Sequence, residues 1–237
     1  METIRLDKYL CDLGKATRSE SRQMIRSGRV RVDGETVCAP ETKIDPEAAL
    51  VTLDGEGLVW ARHHYYMMNK PAGVLTATED RRQKTVLDLL PDELRRMGLF
   101  PVGRLDRDTR GLLLLTDDGD FAHRVISPKF AVEKLYDASV EGTPDESDAA
   151  AFAEGIVLRD GTKCRPALLE PSGGSRCLVT VTEGKYHQVK RMLAARGKPV
   201  TALKRLSIGA LRLPEGLAEG AVAALSKEDL CRVFMVR

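Results

Sequence analysis

The chain has few aromatic residues. Phe, Trp and Tyr make up 5% of its 237 residues, with a single tryptophan, Trp60. It also lacks long apolar runs: stretches such as Leu112 to Leu115 fall far short of the roughly 20 residues that a membrane-spanning helix needs, so no membrane partner is expected. The opening Met-Glu-Thr-Ile-Arg-Leu-Asp has no apolar core of a signal peptide, so a secretory signal is not expected. The five cysteines (Cys11, Cys38, Cys164, Cys177 and Cys231) are odd in number and contain no Cys-x-x-Cys pair. That spacing argues against both a zinc site and a disulfide framework, and a reducing, cytoplasmic setting is expected.

Chemical signatures are missing too. The four histidines (His63, His64, His123 and His187) form no His-x-x-x-His pair, so metal catalysis lacks ligands. The acidic run Asp117 to Asp120 lacks the alternation and closing Glu of a calcium loop, and reads as a turn before a helix. No phosphate-binding Gly-x-x-x-x-Gly-Lys loop, no Gly-x-Gly-x-x-Gly turn and no Gly-x-Ser-x-Gly elbow occurs.

What is present is an ordinary globular composition, 43% hydrophobic and 30% charged, in a chain long enough for one or two domains. Net charge is only +2, but it is unevenly placed. Between Lys15 and Val32 lie six basic residues (Lys15, Arg18, Arg22, Arg26, Arg29 and Arg31) against one acid, Glu20. Arg18, Arg22 and Arg26 are four apart, which puts them on one face of a helix. Between Gly184 and Pro214 lie eight basic residues and no acid. Two such stretches favour nucleic acid as a partner, although a basic cluster alone is only a footprint.

Periodicity divides the chain into residues 1–60, a small unit with its linker, and 61–237. In the first, Leu6, Tyr9, Leu10 and Leu13 predict a helix ended by Gly14. Ser19 predicts the cap of a second helix ended by Gly28, and the alternation around Asp33-Gly34 predicts a hairpin. Residues 51–62, with Gly55 and Gly57, read as a linker carrying a strand, and the glycines permit a hinge. Beyond them, strands are predicted at 64–69, 112–116, 133–141 and within 200–213. Helices are predicted at 85–90, from an Asp120 cap to 126, at 145–154 and at 187–196. This order fits an α+β fold, a mixed, mainly antiparallel sheet flanked by helices.

The segment Gly103-Arg-Leu-Asp-Arg-Asp-Thr-Arg-Gly-Leu-Leu-Leu-Leu-Thr116 feeds a charged turn into an apolar strand. Functional groups often sit on such loops, but on local grounds Asp106 is more simply a turn or salt-bridge residue. The segment resembles the signature of the pseudouridine synthases that modify ribosomal RNA. Tyr65-Tyr-Met-Met-Asn-Lys-Pro-Ala-Gly-Val74, Glu133-Lys-Leu-Tyr136, Glu183-Gly-Lys-Tyr-His-Gln-Val-Lys-Arg-Met192 and Leu206-Ser-Ile-Gly-Ala-Leu-Arg-Leu213 resemble further motifs of that family, in its order. Residues 3–50 resemble the S4 RNA-binding domain that often precedes the catalytic domain.

The resemblance implies uridine isomerisation in ribosomal RNA or an assembling ribosomal subunit. Small-subunit 16S rRNA is the expected substrate; large-subunit 23S rRNA, or binding without chemistry, is the alternative. It implies no cofactor and no metal, and a monomer is expected. It places the catalytic carboxylate at Asp106, the stacking tyrosine at Tyr136 and the basic partner at Lys190, where much of the wider superfamily has Arg. Arg191 is adjacent, so either cation could pair with Asp106. Lys15, Arg18, Arg22, Arg26, Arg29, Arg31, Lys70, Arg104, Arg107 and Arg191 are the expected RNA contacts. For His187 a structural role is expected.

Overall fold

The computed structural model describes residues 3 to 236. The chain forms two compact units. One is the chain through His64 joined by Leu90–Leu99; the other is Tyr65–Leu89 with the chain from Phe100 onward.

In the first unit, β1 (Ile4–Arg5) leads into α1 (Leu6–Asp12), whose Leu6, Tyr9 and Leu10 are fully buried. Helix α2 (Arg18–Arg26) follows. Its cap is Thr17 rather than Ser19: the Thr17 hydroxyl accepts from the Glu20 amide, and the Glu20 carboxylate accepts from the Thr17 amide at 2.7 Å. This reciprocal pair satisfies two donors that a helix start otherwise leaves open. Next come β2 (Val30–Val32), β3 (Glu35–Thr36), β4 (Lys43–Ile44), β5 (Val51–Leu53) and β6 (Glu56–Gly57). β1 pairs with β4, while the other four form a sheet in the order β3-β2-β5-β6. Asp33-Gly34 turns the first hairpin with both φ angles positive, 52° and 86°. Asp54-Gly55 does the same at 51° and 87°. The residues read as a linker are therefore a second hairpin of this unit, and Gly55 and Gly57 serve its turn and its strand rather than a hinge. Trp60 completes the core by stacking on Tyr9 at 5.0 Å. Helix α3 (Asp92–Arg96), absent from the sequence reading, belongs to this unit. Gly14, at φ +68°, lies against it so closely that a Cβ would stand 2.3 Å from the Glu93 carbonyl oxygen.

The second unit contains β7 (Tyr65–Lys70), β8 (Phe100–Pro101), β9 (Arg110–Thr116), α4 (Gly119–Ile126), β10 (Lys134–Val140), α5 (Glu146–Glu154), β11 (Leu168–Pro171), β12 (Arg176–Val181), α6 (Gln188–Ala195), β13 (Val200–Ile208), β14 (Leu211–Arg212), β15 (Val222–Ala224) and α7 (Lys227–Val233). The sheet runs β11-β12-β10-β13-β9-β7-β15, with β8 and β14 added beside β9 and β13. Its strand pairs are antiparallel except β9 with β13. The fold is thus α+β. Leu112 to Leu115 are fully buried, so both faces of β9 are covered. Burial of each such side chain contributes about 1.5–3 kcal/mol, which makes β9 a firm base for the loop before it.

Two local expectations are corrected. Asp118 rather than Asp120 caps α4, accepting from the Phe121 amide at 3.0 Å. Residues 85–90 yield only one 3-10 turn, Leu87–Leu89, because Pro91 stops the chain before a helix can propagate.

Candidate active site

The loop from Gly103 to Thr109 is held from below. The Thr76 hydroxyl donates to the Leu105 carbonyl at 2.8 Å and accepts from the Leu105 amide at 3.3 Å. The Gly73 amide donates to the Arg107 carbonyl at 2.7 Å. Lys70, at the end of β7, is fully buried and donates to the carbonyls of Pro71, Thr109 and Arg107 at 2.9, 3.0 and 3.2 Å. Burial pushes its ammonium down to about 8. The expected RNA contact at Lys70 is thereby corrected: its charge is spent on the carbonyls that shape this loop, out of reach of solvent.

Asp106 sits on that braced turn, with a quarter of its side chain exposed. Lys190 Nζ lies 3.1 Å from Asp106 Oδ2 and 2.5 Å from Asp108 Oδ1, so one ammonium bridges two carboxylates. Burial pulls the Lys190 ammonium down, but hydrogen bonds to Asp108 and Asp106 outweigh it and the net direction is up. Asp108 is held below the usual carboxylate range by its hydrogen bond to Lys190. The neighbouring Arg191 turns to Asp160 instead and meets no carboxylate of the Asp106 turn. The choice between the two cations at Asp106 thus falls to Lys190.

His187 Nε2 stands 3.3 Å from Asp106 Oδ1. The imidazole therefore faces the carboxylate directly, a relationship that sequence reasoning missed. His187 begins α6 in a left-handed conformation, φ +49°, which is uncommon for a residue with a Cβ. The preceding loop supports it: buried Glu183 accepts from the Arg165 amide at 3.0 Å, Lys185 Nζ at 2.7 Å and Gln188 Nε2 at 2.8 Å. Burial raises the Glu183 carboxyl, but these donors more than reverse it and the net shift is downward.

Tyr136 reaches the same cleft from β10, alongside Asp106, Thr109, His187 and Lys190. Its hydroxyl lies 3.5 Å from Nη1 of the buried Arg205, its register partner on β13. Arg205 Nε donates to the Leu112 carbonyl at 2.7 Å, tying β13 to β9. A carboxylate braced beside a cation, an imidazole and an aromatic ring can hold a planar base and present an anionic oxygen to it. Among the described residues no group of His, Cys, Asp and Glu is arranged to hold a metal ion.

Comparison with known proteins identifies the family of the chain. Residues 64–195 match the RNA pseudouridylate synthase family, and residues 4–50 match the S4 domain. The chain is 43% identical over 231 residues to an uncharacterized RNA pseudouridine synthase of Bacillus subtilis, covering 96% of this chain and 97% of that one. It is 42% identical over 236 residues to the ribosomal small subunit pseudouridine synthase A of Salmonella typhimurium, covering 97% and 100%. A crystal structure of a pseudouridylate synthase superposes with a TM-score of 0.69 at 38% identity, covering 97% of this chain and 99% of that one. The chain belongs to the RNA pseudouridine synthases. It is accordingly an isomerase, with an N-terminal S4 domain.

The basic residues of the S4 domain divide into two groups. Lys15 pairs with Glu93 at 2.6 Å, Arg22 with Asp7 at 3.1 Å, and Arg29 with Asp54. These three are partly committed to the domain's own structure. Arg18, Arg26 and Arg31 are exposed and enter no ion pair among the described residues. In the synthase domain Arg104 is exposed on the rim of the cleft, whereas Arg107 Nε donates to the Gly73 carbonyl at 3.2 Å.

Proposed function

We propose that this pseudouridine synthase isomerises a specific uridine of ribosomal RNA, with small-subunit 16S rRNA as substrate and Asp106 as the catalytic carboxylate. The observation that carries the reading is the convergence of Asp106, Lys190 and Tyr136 in one cleft, on a chain that aligns along nearly its full length with enzymes named for the small subunit.

The target uridine leaves its stack, at a cost of a few kcal/mol, to enter the cleft. Tyr136 offsets this by stacking on the uracil, an interaction worth about 1–3 kcal/mol. The reaction breaks the N1–C1′ bond, turns the base and forms the C5–C1′ bond. C5 loses its proton and N1 gains one, so atoms balance without an oxidant or reductant. Asp106 supplies an anionic oxygen, to C1′, to C6 or to a proton of the sugar. Lys190, 3.1 Å from Asp106 Oδ2, offsets the negative charge of that carboxylate at close range. The detached uracil stays bound and is reused, so no second carboxylate is needed to activate water. The S4 domain, through Arg18, Arg26 and Arg31, holds the RNA backbone electrostatically. The enzyme acts as a monomer in the cytoplasm.

The test is to incubate the protein with unmodified 16S and 23S rRNA and with partly assembled subunits, mapping pseudouridine at nucleotide resolution beside an Asp106→Asn variant. One new site in 16S rRNA, absent with the variant, is the expected result. A site in 23S rRNA overturns the substrate, and tight binding without modification overturns the chemistry.

A further inference from the structure

Tyr186 is anomalous in its surroundings. Its side chain is three-quarters exposed, although the nearby core of β10, β12 and α6 closes without it. Single exposed apolar side chains are common, so exposure alone assigns nothing. Its geometry says more. The ring stacks face to face on the His187 imidazole, with centroids 3.8 Å apart and planes 19° apart. His187 in turn touches Asp106. Tyr186 is therefore the outer member of a stack whose inner ring contacts the candidate catalytic carboxylate, and its outer face is open.

The backbone that carries the ring is also held in place, and the ring itself rests on His187. Its backbone carbonyl is 3.5 Å from Arg191 Nη1. On one side the Lys185 amide donates to Gln188 Oε1 at 2.9 Å, and on the other His187 is fixed in its left-handed conformation. A mobile tyrosine forfeits rotamer freedom when it binds; one already ordered loses less.

We infer that Tyr186 is a second stacking platform, which receives the nucleobase adjacent to the target uridine while the uridine itself lies against Tyr136. This rests on the proposed reaction on RNA and adds a subsite to it. When the target leaves its stack, the neighbouring base loses a partner on one side. An aromatic face fixed two rings from Asp106 replaces that partner and shares the cost of flipping. Every base has a π-face, so the platform tolerates any base there and recognises an unstacked neighbour rather than a sequence.

The test uses an RNA fragment that carries the uridine mapped for the wild-type enzyme, together with two analogues that lack the base 5′ or 3′ of it. Tyr186→Ala is expected to raise KM about tenfold while kcat at saturating RNA changes less than twofold, and Tyr186→Phe to restore KM. One of the two abasic RNAs is expected to bind the wild type about tenfold more weakly, with no further loss in Tyr186→Ala, because the two changes remove one contact. A Tyr186→Ala enzyme with unchanged KM overturns the inference. So does a loss confined to kcat, which means that Tyr186 acts only by holding His187 on Asp106. Independent, multiplicative losses from the protein and RNA changes overturn it too. Conversion by the wild type reports separately on the proposed function: if it converts the fragment while the Tyr186 variants behave alike, only the platform falls. If it converts no RNA, both fall.

Discussion

Gly111 and Arg205 face each other across the parallel pairing of β9 and β13, so closely that a Cβ on Gly111 would stand 2.2 Å from the Arg205 carbonyl oxygen and 2.8 Å from its amide nitrogen. Gly111 also has φ +103°, which side chains with a Cβ rarely adopt. A Gly111→Ala substitution must therefore push the two strands apart or strain the backbone. The expected cost is about 3 kcal/mol, read as a lower urea midpoint at unchanged slope. Activity is expected to fall even where the protein is folded, because the Arg205 side chain leads from the Leu112 carbonyl to the Tyr136 hydroxyl. A midpoint within experimental scatter of the wild type refutes this account of the glycine.

Lys190 bridges Asp106 and Asp108, so its two possible replacements separate charge from shape. Lys190→Met leaves Asp106 with His187 as its one close ion-pair partner among the described residues, and single-turnover conversion is expected to slow by about 10²–10³, the usual cost of losing one oriented electrostatic partner. Lys190→Arg retains the cation and can pair with a carboxylate through two N–H groups, so conversion is expected to stay within about tenfold of wild type. If Lys190→Met is within twofold of wild type, the ammonium has no part in the reaction.

Much of this architecture is legible in the sequence, and the exceptions have physical causes. The Asp33-Gly34 signature predicted its hairpin, and Asp54-Gly55 carries the same signature with the same backbone angles. It was obscured by a composition that also suits a linker. Thr17-x-x-Glu20 is a capping box two residues ahead of Ser19, itself a residue type suited to a cap. For Asp106, local pattern suggested only a turn; its relation to Lys190, 84 positions away in the chain, is set by the sheet and reached the sequence reading through family motifs alone. His187 meets Asp106 from a left-handed backbone position 81 residues further along the chain, which no local pattern announces. Lys70 is the reverse case: lysine is a surface residue by habit, and nothing local announces that three carbonyls of a later loop will surround it.

The burial of Lys70 yields a pH-dependent prediction. Its ammonium is pushed from 10.5 in the unfolded chain down to about 8 in the folded one. Between those values the unfolded chain binds the extra proton, so stability contributed by this group rises as pH goes from about 8 to about 10.5. Lys70→Met is expected to abolish that rise in urea midpoints measured between pH 7.5 and 10. It also leaves the carbonyls of Pro71, Arg107 and Thr109 without their donor. At pH 7.5 a loss of about 2 kcal/mol is expected, with a larger proportional loss of conversion because the Asp106 turn is unpinned. A variant with the same slope against pH as wild type would show that other groups carry the dependence.

Asp7 gives the corresponding test in acid, in the other unit. Its carboxylate is fully buried, bound by Arg5 at 2.9 Å and by Arg22 at 3.1 Å. Hydrogen bonding to Arg5, opposed by burial and reinforced by Arg22, holds it at about 2 against an ordinary 3.8. A carboxyl lowered in the folded state stabilises that state above pH 3.8, and the contribution is lost as pH falls through about 2. The full difference amounts to about 2 kcal/mol, reduced by solvent around the half-exposed arginines. Trp60 makes this measurable, because the only tryptophan of the chain stacks on Tyr9 within the same unit, so its fluorescence follows the S4 domain without labelling. Urea midpoints read from Trp60 are expected to fall between pH 4 and pH 2 in the wild type and to change less in Asp7→Asn, which should also be the less stable protein at pH 6. Salt should weaken the effect only slightly, since a buried carboxylate is screened far less than a surface pair. The same experiment bears on RNA binding. If Arg22 is committed to Asp7, Arg22→Met should lower the Trp60 midpoint as well as RNA affinity, whereas Arg18→Met and Arg26→Met should lower affinity alone.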